Sequence, residues 1–102
     1  MTQTLNSILA MHIGKDNAIT SSELADKLGI IEDDTHQKTR QAILQCVEEY
    51  HLPLVASRKG YYLIEDENDL DAYIKTLDRR IAGIEKRKRL IKSNYRTMLK
   101  NS

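Results

Sequence analysis

From Leu70 onward an apolar residue recurs at every seventh position: Leu70, Leu77, Ile84, Ile91 and Met98. A second row, Ile74, Ile81, Lys88 and Tyr95, stands four residues after the first four of these. Apolar residues alternating at spacings of four and three form the stripe of an α-helix that lies against another helix. With the rows taken as d and a positions, about four heptads make a rod of roughly 45 Å at 1.5 Å per residue. A compact unit of about 65 residues cannot bury a rod of that length. Leu70, Tyr73, Ile74 and Leu77 are placed to pack back onto such a unit, with a frayed tail beyond. The row from Ile81 to Met98 instead calls for a second chain, most simply in a two-fold dimer. Leu77, Ile81, Ile84, Ile91, Tyr95 and Met98 are therefore the candidate dimerisation residues. Gly83 weakens the helix by ~1 kcal/mol relative to alanine and is a natural bend.

In a parallel pair, Arg80 would meet Glu85 of the second copy, Arg87 would meet Lys92, and Lys88 would meet itself. Such a pair coheres at its start and repels further out. The distal part would pair antiparallel, splay, or grip something anionic.

Charge divides the chain at the same place. Residues 1–77 carry seven Lys/Arg against thirteen Asp/Glu, and residues 78–102 carry nine against two. A split of this kind accompanies tails that bind polyanions or partners. It also suits the dipole of the helix itself, acids first and bases last. The core must be built from Leu, Ile and Val, because Phe and Trp are absent and the five tyrosines are the only aromatics. No apolar run approaches the ~20 residues of a membrane span. The N-terminus has no basic-then-apolar leader, and the single Cys46 cannot form an internal disulfide. That profile is cytoplasmic.

Ahead of the heptads the periods are short and well punctuated. "TLNSILAMHI", residues 4–13, has helical spacing and Gly14 as its stop. Ala18 and Ile19 fit a very short strand. In "ITSSELADKLGI", Thr20 and Glu23 are spaced as a capping box, and Ile19 and Leu24 as a hydrophobic staple. Gly29 ends that helix. Asp33 or Asp34 is placed to cap a third helix running to about His51, with Pro53 beyond its end. Ile43, Cys46, Val47 and Tyr50 share one face of it, and His36, Gln37, Lys38, Arg40 and Gln41 stand opposite. "LPLVASRKGYYLIED" then changes period: Leu54–Ser57 and Tyr61–Ile64 read as strands of a hairpin around "RKG".

Helix, short strand, helix, helix, hairpin is an α+β order, mainly α. With "ITSSELADKLGI", "KTRQAIL" and "PLVASRKGYYLIED" in that order, residues 4–66 resemble the winged helix-turn-helix family, particularly its small bacteriophage and mobile-element members. The resemblance implies a winged helix-turn-helix domain over residues 1–66, followed by a C-terminal helix over 67–102. The turn "GIIEDDTHQK" is longer and more acidic than the family's usual one. In a DNA-binding member, the second helix of the motif enters the major groove and its first side chains reach base edges. His36, Gln37, Lys38, Arg40 and Gln41 take that place here, with Thr39 either supplying a methyl contact or facing the domain. Arg58 and Lys59 at the hairpin tip are placed for phosphates or a minor groove.

No phosphate loop, paired metal ligands or catalytic triad is present. His12, His36 and His51 are too dispersed for metal ligation, and Cys46 lies on an apolar helix face as a small core residue. No cofactor and no catalysis are expected. Double-stranded DNA is the expected partner, alongside a second copy of the chain, and the protein is read as a small transcriptional regulator. A second reading keeps the fold but directs its acidic surface or its coiled coil at a host protein, as phage-type inhibitors and replication accessory proteins do. A third has the basic tail bind RNA or single strands, for which Tyr95 alone makes a poor stacking platform.

Overall fold

The computed structural model describes residues 2–31 and 36–101. Its elements are α1 (Thr2–Leu9), a 3₁₀ turn (Lys15–Asn17), α2 (Ser21–Leu28), α3 (Gln37–Tyr50), β1 (Leu54–Ser57), β2 (Gly60–Leu63) and α4 (Glu67–Lys100). The protein is mainly α, with one antiparallel hairpin and a long C-terminal helix. It divides into two compact units, Met1–Asp69 and Leu70–Ser102.

Helix α2 forms where local chemistry demands it. The Thr20 hydroxyl accepts from the Glu23 backbone N–H at 3.1 Å, and the Glu23 carboxylate accepts from the Thr20 backbone N–H at 3.2 Å. This reciprocal pair satisfies backbone donors that the first turn leaves open. Donation from the Thr20 backbone and hydroxyl holds the Glu23 carboxyl below its ordinary value of 4.5. The box is therefore fully charged and intact at neutral pH, and it is lost as acid protonates Glu23 below that range. At the other end Gly29 takes the left-handed conformation, φ 69°. The N–H groups of Ile30 and Gly29 then turn back to the carbonyls of Ala25 and Asp26, at 2.9 and 3.3 Å, closing a Schellman motif.

Helix α1 is shorter than its apolar spacing suggests. Its expected span to Ile13, with Gly14 as the stop, is replaced by an end at Leu9. The cause is a competing partner for the backbone. Leu63 of β2 donates to the His12 carbonyl at 2.8 Å, and its own carbonyl accepts from Gly14 at 2.9 Å. His12 and Asn17 seal the loop, with His12 Nδ1 2.7 Å from the Asn17 carbonyl and Asn17 Nδ2 donating to the Ile13 carbonyl at 2.9 Å.

The far edge of β2 holds the short extended segment as well. Ile19 and Tyr61 exchange hydrogen bonds of 2.9 and 2.7 Å in an antiparallel bridge. On its other edge β2 pairs with β1 in the register Leu54–Leu63, Val55–Tyr62, Ala56–Tyr61 and Ser57–Gly60. The second strand thus begins at Gly60 and ends at Leu63, one residue earlier than expected. The two-residue turn Arg58–Lys59 avoids positive φ, and Gly60 takes it instead at 124°. A Cβ at Gly60 would lie 2.4 Å from the Ile19 carbonyl oxygen and 3.0 Å from the Thr20 nitrogen. Only glycine lets the hairpin sit this close to the start of α2.

The core gathers Leu5 and Leu9 of α1, Ile19, Leu24 of α2, Ile43 and Cys46 of α3, and Leu63 of β2. Ile19 and Leu24, the expected staple pair, are both fully buried. Val55 and Tyr62, directly opposite one another in the hairpin, are buried on its other face.

The junction is testable by contrasting two glycines. Gly29 also has positive φ, but a Cβ there would meet open space. Gly29→Ala is expected to cost about 1 kcal/mol, or roughly 4–8 °C in melting midpoint. Gly60→Ala adds a backbone collision and is expected to lower the midpoint by more than ~10 °C in thermal unfolding followed by circular dichroism. Equal losses would show that the hairpin is not seated on Ile19 and Thr20.

Candidate functional site

Helix α3 presents two faces of opposite character. Thr39, Ile43 and Cys46 are buried, with Val47 and Tyr50 packed against the core around them. Spacings of four, three and four keep this set on one side of the rod. Gln37, Lys38, Arg40 and Gln41 are exposed, as are Leu44, Gln45, Glu48 and Glu49 further along. Gln37, Gln41 and Gln45 form one ridge at intervals of four, and Arg40, Leu44 and Glu48 form the adjacent ridge. Leu44 and Gln45 extend the face beyond the residues picked from the sequence. Their spacing from Gln37 and Arg40 is the signal that would have found them.

His36 differs from the other four residues of the candidate set. It precedes the helix in the left-handed conformation, φ 53° and ψ 32°, and makes no side-chain capping bond. Its Nδ1 is buried and has no hydrogen-bond partner among the described residues. Asp33 and Asp34, the expected caps of α3, lie outside the described residues. Thr39 faces the domain rather than solvent. Arg58 and Lys59 are exposed at the tip of the hairpin.

The charges of α3 run against its dipole. Lys38 and Arg40 sit near its start with no acid in the first turn, and Glu48 and Glu49 sit near its end with no base in the last turn. Helix α2 has the favourable order, Glu23 first and Lys27 last, and α4 has Glu67 and Asp69 first and Lys100 last. A charge at the wrong helix end costs about 0.3–1 kcal/mol. Cations at a helix start also reinforce the positive potential of its free N–H groups, the combination that suits an anion.

The other candidates settle into structural roles. Cys46 donates through Sγ to the Thr2 carbonyl at 3.6 Å. Burial, then the charge of Glu49, pushes its thiol up, away from nucleophilic use. His51 ends α3 in the left-handed conformation, its backbone N–H donating to Val47. An open depression of about 330 Å³ is lined by Gly14, Lys15, Asp16, Glu65, Asp66 and Asp69, among others. Its carboxylates help to start α4: Asp66 Oδ1 accepts from the Asp69 N–H at 2.8 Å, and Asp69 Oδ2 from the Glu65 N–H at 3.1 Å. Among the described residues no cluster of His, Cys, Asp and Glu is arranged to hold a metal ion. No helix among the described residues is long and apolar enough to cross a membrane.

Along α4 the seam residues are open to solvent. Ile81, Ile84, Ile91, Tyr95 and Met98 are each 57–63% exposed, and Leu77 is partly covered. Lys88, Lys92, Arg96 and Lys100 follow one another at intervals of four. That row of like charges destabilises an isolated helix by a few tenths of a kcal/mol per neighbouring pair.

Reversing one of the misplaced charges on α3 should stabilise it. Glu48→Lys is expected to raise stability by about 0.5–1 kcal/mol at low ionic strength, with the gain fading in salt. Chemical denaturation at two salt concentrations measures this, and a loss of stability would mean that Glu48 has a structural partner.

Comparison of the chain with protein-family models, with curated proteins and with solved structures returns no match.

Proposed function

We propose that this protein is a dimeric, sequence-specific DNA-binding protein of the winged helix-turn-helix type, a small transcriptional regulator of the phage or mobile-element kind. The observation that carries the proposal is the outward face of α3. Gln37, Lys38, Arg40 and Gln41 project from a rod whose opposite side is anchored by Thr39, Ile43 and Cys46. The order α2, α3, hairpin supports the same reading, as does the Ile19 bridge, which adds a short lane beside β2.

In this reading the start of α3 enters the major groove. Arg40 has the fork to take guanine O6 and N7, and Gln37 or Gln41 the amide to take adenine N6 and N7. Lys38, with the positive end of the helix dipole, answers the phosphates, and Arg58 and Lys59 reach the backbone from the hairpin tip. The acidic balance of residues 1–77 opposes non-specific attraction. Two features offset it. Pairing of two copies doubles the specific contacts, and the bases from Arg79 to Lys100 supply a long cationic surface. The chemistry is that of readout rather than catalysis.

One observation favours a second reading. Leu44, 59% exposed, sits in the middle of the α3 face, and Ile31, 87% exposed and six residues before α3 in sequence, adds a further open apolar side chain. An apolar centre with Glu48 and Glu49 beside it would suit a basic host protein. Recovery of a nuclease, helicase or polymerase component by pull-down, with no DNA retained at low salt, would select this alternative.

Mobility-shift assays on random DNA and on DNA flanking the native gene test the main proposal. Arg40→Ala is expected to cost ~1–3 kcal/mol on the preferred sequence and to relax base choice at one position. Lys59→Ala should weaken binding evenly across sequences and lower the salt slope by about one. Wild-type protein that shifts no DNA at low salt ends the proposal.

A further inference from the structure

We propose that two copies of this chain pair along α4 in the antiparallel sense, with the start of each helix beside the end of the other. The inference rests on the reading that a second copy covers the α4 seam, and it specifies the orientation, which heptad spacing alone leaves open.

Charge decides the direction. From Glu67 to Asp78 the helix carries Glu67, Asp69, Asp71 and Asp78 against the single Lys75. From Arg79 to Lys100 it carries nine Lys/Arg against the single Glu85. Parallel pairing lays the two basic stretches side by side for roughly 30 Å at 1.5 Å per residue. It also sets Arg87 against Lys92 and puts Lys88 against its own copy inside the seam. Antiparallel pairing instead sets the acidic start of one helix beside Arg96 and Lys100 of the other at both ends of the rod, and shortens the stretch over which the bases lie side by side. The two helix dipoles then oppose each other, which is the favourable arrangement.

One register satisfies the apolar rows best. Centred on Lys86, it faces Ile81 with Ile91, Leu77 with Tyr95, Ile74 with Met98, and Ile84 with Lys88. The Lys88 stem then lies along the Ile84 side chain and its ammonium reaches water, as long basic side chains do. Asp78 comes beside Lys92 of the second copy, and symmetry repeats that ion pair; at the two-fold axis Glu85 and Arg87 each meet their own copy, outside the apolar seam, where water screens them. Shifting one heptad toward the N-terminus faces Asp78 with Glu85 and Arg80 with Arg87. Shifting one heptad toward the C-terminus leaves Ile74 and Leu77 uncovered and lengthens the overlap of the basic stretches from residues 79–93 to residues 79–100.

The face opposite the seam gives positions for probes that do not disturb packing. Spin labels at Lys86→Cys and at Lys100→Cys, in separate full-length proteins with Cys46 replaced by alanine, report the direction by pulsed dipolar spectroscopy. The antiparallel dimer is expected to give a short separation at position 86. At position 100 the labels lie about 42 Å apart along the axis, since each faces position 72 of the other chain at 1.5 Å per residue. Equal short separations at both positions would establish a parallel pair and overturn the proposal. Sedimentation of the unlabelled wild-type protein as a monomer at tens of micromolar would overturn it as well. DNA retention is scored separately on the same preparations. An antiparallel dimer that binds no DNA supports the pairing while refuting the regulator, and a monomer that shifts DNA does the reverse.

Discussion

The compact unit depends on a close approach of two backbones. Gly60 lies against the peptide between Ile19 and Thr20, and the next residue, Tyr61, exchanges two hydrogen bonds with Ile19. That contact joins three things otherwise remote in sequence. It seats the hairpin, holds the short extended segment on the edge of β2, and fixes where the capping box of Thr20 and Glu23 begins. The staple residue Ile19 is driven into the core by the same contact, where it meets α1 and α3. The orientation of α3, and so the direction of its polar face, is set by residues that never touch that face.

Where the signals were local, the sequence was legible. Thr20, Glu23 and Gly29 specify α2 because each acts on hydrogen bonds within one turn of itself. Where a distant strand claimed the backbone, local pattern misled. His12 and Ile13 continue the apolar spacing of α1, yet the unpaired edge of β2 takes their peptide groups, and a buried backbone donor or acceptor is costly to leave open. The one-residue shift of β2 has a similar origin: glycine is admitted to the strand because the neighbour beyond it leaves no room for a side chain. The inward face of α3 could be read from Ile43, Cys46, Val47 and Tyr50, and so could the exposure of Gln37, Lys38, Arg40 and Gln41. The left-handed geometry of His36 could not, since nothing in its neighbours demands it.

Stability and recognition pull α3 in different directions. Helices α2 and α4 carry acids first and bases last, as helix electrostatics favours, and α3 departs from that order at both ends. A departure of this kind, on a rod whose other face is fully committed to the core, marks the exposed side as shaped by something other than folding. The same logic applies to the consecutive cations of α4, which repel one another within a single helix and gain from a nearby negative surface.

The uncovered apolar seam of α4 has a consequence for how the molecule behaves in a cell. A long helix with a repelling cationic ridge and no fully buried residue draws little of its order from side-chain packing. If the second copy supplies that order, the fraction of structured rod rises with the amount of protein, by simple mass action. Under the proposed pairing, the same apolar row that holds two copies together would also tie the ordering of the rod to concentration.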